Sequence, residues 1–472
     1  MKKSDWIFWV LCAAIVAWFA VDKIAARRAE KAWEKDLRER IAYDFSRSRE
    51  DVKTYVARFI PDVTDAQIDA WTASGKLESM DIGGERRYFR NAGPNLFRID
   101  TACTRIKATT ETLSGNSISG HDIDDAEVIP QIVSDVKRQL LEGAENPYLA
   151  QPRHFHVRYT LAVEADAVPA GEKIRCWLPF PRSDASRQKD VKLLSTSEPE
   201  YIPSREWDAH STVYMEKTAV AGQPTVFSEE FEYTVSGEWH PAAPENVKPY
   251  DTESKLYKEY TSEREAHIIF TPEIKALADS LKGGLENPLL IARRYFTYVN
   301  DNFPWASARE YSTVENIPSY VLESGHGDCG MVTLLLLTLC RYAGIPARWQ
   351  SGFMMHPHGW NLHDWGELYF EGLGWIPVDQ SFGIPSYAAR KSPLMGIWAP
   401  SGETILDLPE AEYFYFGGID PYRMIVNSDY GQFLYPRKVY PRSETVDFQR
   451  GEVEGRKGNL YFNKWDYPLE IL

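Results

Sequence analysis

The sequence predicts an α+β fold, a helical core set against antiparallel strands and preceded by an antiparallel β-sandwich-like domain. The first of three observations behind it is a period of two. In 155-FHVRYTLAV-163 and 227-FSEEFEYTV-235 apolar side chains recur at alternate positions, and 174-IRCWLPFP-181 does likewise. Half-buried antiparallel strands have this period. The second is a change of pattern near residue 270. There 271-TPEIKALADSLKGG-284 places Thr271 as an N-cap, Pro272 at the first helical position and two glycines as a stop. A second helix opens in the same way at Asn287-Pro288. The third is 325-GHGDCGMVTLLLLTLCRYAG-344, apolar on nearly every side from Met331 to Leu339. Only the centre of a domain can bury such a helix.

At 472 residues the chain exceeds one ordinary core. Its 13% aromatic and 43% hydrophobic residues belong to a packed globular protein. With 53 basic against 68 acidic residues the net charge is −15, and no basic cluster interleaves with aromatics. A nucleic-acid backbone would be repelled, so no nucleic-acid partner is expected.

Residues 6–21 are uncharged and largely apolar behind Lys2 and Lys3. As a helix they cover about 24 Å, short of a ~30 Å hydrocarbon core yet sufficient with snorkelling flanks. Cleavage after Ala20 or Ala17 would put Trp18 or Ile15 where a signal peptidase needs a small residue. The run is therefore read as a single membrane anchor in preference to a signal peptide. Basic residues follow it, but Asp22, Glu30 and Glu34 are interspersed. The body is expected to be extracytoplasmic. The remaining organisation reads as a stalk and small α+β region over 22–145, the sandwich over 150–245, the core over 255–395 and a β-rich extension over 396–472. Residues 110–125, polar and rich in Ser, Gly and Asp, read as a loop.

Of the five cysteines, Cys329 alone stands at the mouth of a helix among glycines. The positive end of a helix dipole stabilises a thiolate there, and first-turn N–H groups can bind an oxyanion. Asp328 opposes this, so a base is needed. In 363-HDWGELYF-370 alternate residues His363, Trp365, Glu367 and Tyr369 share one face of a strand, and a short turn leads into 375-WIPVDQ-380. Provided that opposed residue numbers have an even sum, His363 and Asp379 lie on the same side within reach; a one-residue slip would separate them. Cys103, Cys176 and Cys340 read as packing. Trp360, Trp365 and Trp375 read as core; Trp305 reads as packing, with a role lining the cleft or assisting the oxyanion as the alternative, and His356 and His358 as loop residues at a cleft rim. His326, Cys329, His356, His358 and His363 are too loosely spaced for zinc, so no metal and no cofactor is expected.

The run GDCGMVTLLLLTLCRYAGIPARWQSGF followed by HDWGELYFEGLGWIPVDQS resembles the transglutaminase-like core over residues 285–390. That resemblance implies a papain-like α+β fold with Cys329 as nucleophile, His363 as base and Asp379 as orienting carboxylate. Asp364 departs from the family pattern where a small residue is commoner, and Gln380 where proline often follows the Asp. The implied function is that of a membrane-anchored cysteine enzyme attacking a peptide, protein or peptidoglycan amide through a thioacyl intermediate. Hydrolysis is favoured over transamidation because nothing in the sequence selects an amine over water. The alternative is a catalytically silent peptide-binding scaffold at the membrane.

Overall fold

A computed structural model describes residues 34–114, 120–357, 359–381, 414–440, 442 and 448–472. The apolar run over 6–21, Cys12 and His358 lie outside them. Among the described residues no helix is long and apolar enough to cross a membrane.

The described residues form three large hydrophobic cores and a small fourth cluster around Trp365, Ile419 and Ile425. The N-terminal one gathers Phe45, Val56, Ile68, Phe89 and Leu96 around the hairpin of β1 (Ser79–Ile82) and β2 (Glu85–Tyr88). Its helix Asp65–Ala73 starts with a capping box in which Thr64 and Gln67 exchange side-chain and backbone hydrogen bonds. Helical residues 34–44 do not lead away as a stalk. They dock on the body, with Arg40 donating to Ser312 Oγ at 3.1 Å and Asp44 accepting from the Glu310 N–H at 2.6 Å. Charged composition favoured a solvated helix; burial of Arg40 and Asp44 in specific polar contacts won instead.

The sandwich core lies between two antiparallel sheets. One contains β3 (Leu149–Val163), β5 (Gln188–Thr196) and β8 (Thr225–Trp239); the other contains β4 (Lys173–Pro179), β6 (Ile202–Pro203) and β7 (Thr212–Thr218). Val157, Tyr159, Leu161, Phe231, Tyr233 and Val235 fill it, all on the predicted phase.

The third core surrounds the buried helix Cys329–Tyr342, flanked by helices Pro272–Lys282 and Pro288–Asn302 with the expected Thr271 and Asn287 caps. The helix lies on a sheet ordered β11-β10-β9-β13, made of β9 (Ala347–His356), β10 (Gly359–Phe370), β11 (Gly374–Val378) and β13 (Arg423–Asn427). C-terminal strands complete both β regions. β12 (Gly418–Ile419), β16 (Trp465–Asp466) and β17 (Leu469–Ile471) join the β3/β8 sheet, while β14 (Glu452–Gly455), paired with β15 (Gly458–Asn459), joins β4. Residues 110–125 are not a continuous loop. Helices Thr101–Ser114 and Gly120–Leu141 occupy most of that span, and the second is anchored by Ile132, Val133 and Val136 in the helical core. Its local polarity is overridden by this downstream apolar face.

Glu229 breaks the sandwich pattern. It sits in the apolar phase of β8 opposite Tyr159, 1% exposed, with neither carboxylate oxygen hydrogen-bonded among the described residues. Burial pushes its pKa well above the ordinary 4.5. A folded-state pKa above the unfolded one contributes stability that is complete below about 4.5 and is lost as pH rises. Glu229→Gln removes that titration. The melting temperature of the variant should therefore exceed that of the wild type at pH 8, and the difference should shrink toward pH 5; a variant less stable at pH 8 would show that the carboxylate is favourably ionised in the fold.

Candidate active site

The nucleophile candidate is placed by a helix start. Asp328 adopts an extended N-cap conformation and its Oδ1 accepts from the Met331 N–H at 3.1 Å, so Cys329 becomes the first helical residue. The Tyr311 hydroxyl also donates to Asp328 Oδ1. Gly330 must be glycine: a Cβ there would lie 2.7 Å from Asp364 Oδ2 and collide with the Tyr311 hydroxyl. Cys329 is half-buried, whereas Cys103, Cys176 and Cys340 are buried. Burial raises the thiol pKa at all four positions, at Cys103 to about 12.

The imidazole and carboxylate are placed by strand register. Gly366 faces Val378 and Tyr369 faces Trp375, the pairing that puts His363 and Asp379 on one side of the sheet. His363 Nε2 lies 2.7 Å from Asp379 Oδ2. The carboxylate can only accept, so Nε2 carries the proton and Nδ1 is the basic nitrogen. Trp365 stacks beside the ring, 6.0 Å between centroids, and donates its indole N–H to Gln350 Oε1 at 2.7 Å. Gln350 and Arg348 in turn donate to Glu367 Oε2 at 2.8 and 2.6 Å. The imidazole thus stands on a face whose neighbours are themselves fixed. Gly352, directly opposite His363, lets β13 close against β9, because a Cβ there would strike the Met424 carbonyl.

Sequence reading did not anticipate Arg423. Fully buried, it donates through one terminal nitrogen to Asp379 Oδ2 at 2.8 Å and through Nε to Asp420 Oδ2 at 2.8 Å. Burial would raise the Asp379 pKa, but His363 and Arg423 outweigh it and hold the carboxyl below its usual value. Burial also lowers the His363 pKa, overcoming the opposing pull of Asp379. At neutral pH the pair is therefore a neutral imidazole on an ionised carboxylate.

Cys329 has a different partner from the one the sequence suggests. Its Sγ hydrogen-bonds Asp364 Oδ2 at 3.4 Å, and among the described residues no hydrogen bond joins it to His363. Successive strand residues point to opposite faces. Asp364 is on the helix-facing side with Gly366, Leu368 and Phe370, while Trp365 on the His363 side packs with Ile419 and Ile425. The expected depression of the thiol pKa is reversed: burial first, then Asp364 and Asp328, push it well up. Gln449 donates to Asp364 Oδ1 and, at 2.8 Å, to the His363 carbonyl. Gln380 donates to Thr333 Oγ1 at 2.8 Å, and Thr333 donates to the Cys329 carbonyl at 2.7 Å. Both departures from the family pattern, Asp364 and Gln380, therefore engage the first turn of the helix.

Two further expectations change. Trp305 is not core: it is 49% exposed, bridged to Gly327 through the backbone and covered by Arg98 at 4.9 Å. His356 is no rim residue, for it ends β9 buried, 3.5 Å from Asp420.

A cysteine opening a buried helix, laid on an antiparallel sheet that carries a His–Asp pair, defines a papain-like cysteine domain. Comparison with known proteins agrees: residues 275–380 match the transglutaminase-like superfamily core. An uncharacterized protein, YebA of Bacillus subtilis, is 26% identical over 107 residues, which is 20% of this chain and 14% of YebA. The chain thus matches only a small part of that relative. Among solved structures, a candidate cysteine protease from Cytophaga hutchinsonii aligns at 13% identity and a TM-score of 0.44, covering 69% of this chain and 92% of the other. The periplasmic domain of TgpA from Pseudomonas aeruginosa aligns at 13% identity and a TM-score of 0.25, covering 53% and 98%.

Arg423 joins two carboxylates that are both fully buried. Arg423→Gln leaves them uncompensated, and breaking a buried pair costs about 3–5 kcal/mol. Chemical denaturation should show a loss of that order, and a loss below ~1 kcal/mol would mean that the cluster is not held together by this charge.

Proposed function

We propose that this protein is a membrane-anchored cysteine acyl-transfer enzyme that hydrolyses peptide, protein or peptidoglycan amides, with its body outside the cytoplasm. The observation that carries the reading is the His363–Asp379 pair, with Nε2 bonded to the carboxylate so that Nδ1 is the basic nitrogen, on the strand whose next residue, Asp364, hydrogen-bonds the Cys329 thiol. Cys329 Sγ attacks the amide carbonyl carbon as its proton passes to Nδ1 of His363. The C–N bond then breaks and the imidazolium protonates the leaving amine. First-turn N–H groups stabilise the oxyanion, and water resolves the thioacyl intermediate. An amine in place of water would make the same enzyme a transamidase.

A second reading, a silent peptide-binding scaffold, draws support from the Cys329–Asp364 hydrogen bond, which ties the thiol to a carboxylate instead of to the base. Mass spectrometry of peptide and peptidoglycan mixtures discriminates. The wild type should release cleaved or amine-exchanged products that Cys329→Ala does not form; absence of products with both proteins would favour the scaffold. Asp379→Asn should lower turnover roughly 10- to 10³-fold with substrate affinity little changed, because the amide can neither hold the His363 tautomer nor stabilise the imidazolium that forms as the thiol gives up its proton. Full activity in that variant would reduce Asp379 to a structural role.

Anchoring rests on the apolar run over 6–21. The full chain should sediment with membranes and a chain starting at Glu34 should stay in the supernatant. Recovery of the full chain as a soluble protein trimmed near residue 20 would indicate a cleaved signal.

A further inference from the structure

We infer that Asp364 is a positioning residue for the acyl-transfer chemistry proposed above, on which this inference rests: its carboxylate holds the Cys329 thiol protonated and turned to the helix-facing side of β10 until catalysis draws it away. The geometry is specific. Sγ donates to Oδ2 at 3.4 Å, and the other carboxylate oxygen is clamped by Gln449, which also holds the His363 carbonyl at 2.8 Å. One side chain from the C-terminal segment thereby fixes both the carboxylate and the backbone that carries the imidazole. Gly330 leaves the room that Asp364 and Tyr311 occupy over the helix start.

The titratable groups facing the thiol are Asp328 from its own N-cap, Asp364 from β10 and the Tyr311 phenol from the preceding turn. Burial, Asp328 and Asp364 keep that phenol protonated, and its hydrogen is committed to Asp328. A helix N-terminus presents about half a positive charge. A full carboxylate charge in hydrogen-bond contact outweighs it, and the thiol pKa is accordingly raised. The thiol therefore rests as S–H. For attack the Sγ proton moves to Nδ1 of His363, giving thiolate and imidazolium, while Asp364 stays a carboxylate and takes up no proton. A residue with no carboxylate at this position, as the small residue commoner in the family would be, could not impose the restraint.

The test is the pH dependence of iodoacetamide alkylation at Cys329, followed by peptide mass spectrometry in the wild type, Asp364→Asn and Asp364→Ala. In the wild type the apparent pKa should lie above the ordinary ~8.5 of a free thiol. In the variants it should fall, and the rate at pH 7 should rise roughly tenfold for each unit. Buried Cys340 stays unlabelled in folded protein, so its modification reports unfolding; the comparison is read in the variant where it remains silent, and the near-isosteric Asn is chosen for that purpose. An apparent pKa that is unchanged overturns the inference, and one that is higher, with a slower reaction at pH 7, overturns it and makes Asp364 an aid to ionisation. The readout is a thiol titration, so it stands apart from product formation. Loss of the proposed function would show instead as no product from the wild type.

Discussion

The site depends on one buried charge arrangement, the Arg423 guanidinium between Asp379 and Asp420. Three ionised groups with no exposure are tolerable only because each is paired and hydrogen-bonded. Tyr415 donates to Asp420 Oδ2 at 3.0 Å and the Tyr422 N–H to Oδ1 at 2.9 Å, while the Ser381 N–H reaches Asp379 Oδ1 at 3.2 Å. With its charge maintained, Asp379 can hold the His363 tautomer. Burial of the imidazole keeps it neutral, and so able to accept a proton. β13 supplies Arg423 and is itself the sheet edge next to β9, so the C-terminal part of the chain belongs to the site's chemistry as much as to its architecture.

The same dependence on distant chain recurs at the thiol. Gln449 reaches Asp364 from 85 residues away in sequence. On the segment before the Cys329 helix, Asn95 and Ser307 exchange two hydrogen bonds of 2.9 Å, and Arg98 covers Trp305. The N-terminal core thus braces the segment that leads into the Cys329 helix. Cys329 and His363 therefore sit within a frame contributed by all three large cores, and the carboxylates of Asp328 and Asp364 oppose the helix start in setting the thiol's ionisation.

Much of this was legible in the sequence, for identifiable reasons. The period of two in 155–163 and 227–235 gave β3 and β8, and the Thr271-Pro272 and Asn287-Pro288 pairs gave helix starts, because strand alternation and capping are local properties. The His363–Asp379 pairing was legible because a hairpin with a short turn has few registers, and only an even one serves. What stayed hidden is non-local. Arg423, Asp420 and Gln449 carry no motif, and topology alone brings them to the site. Asp364 was visible as a departure from the family pattern, but its contact with Cys329 depends on which face of β10 the helix covers. Trp305 misled through its residue type: tryptophan is packed by default, and here it lies half-exposed under an arginine.

The proposed function requires Cys329 to be a nucleophile served by His363. An amide-mimicking thiol electrophile, with the adduct mapped by mass spectrometry in the wild type and in His363→Ala, tests it most directly. A single adduct on Cys329 is expected in the wild type and its loss in the variant, with Cys103, Cys176 and Cys340 unmodified in both. An adduct that forms equally well without the imidazole, or that lands on another cysteine of the folded protein, would contradict it.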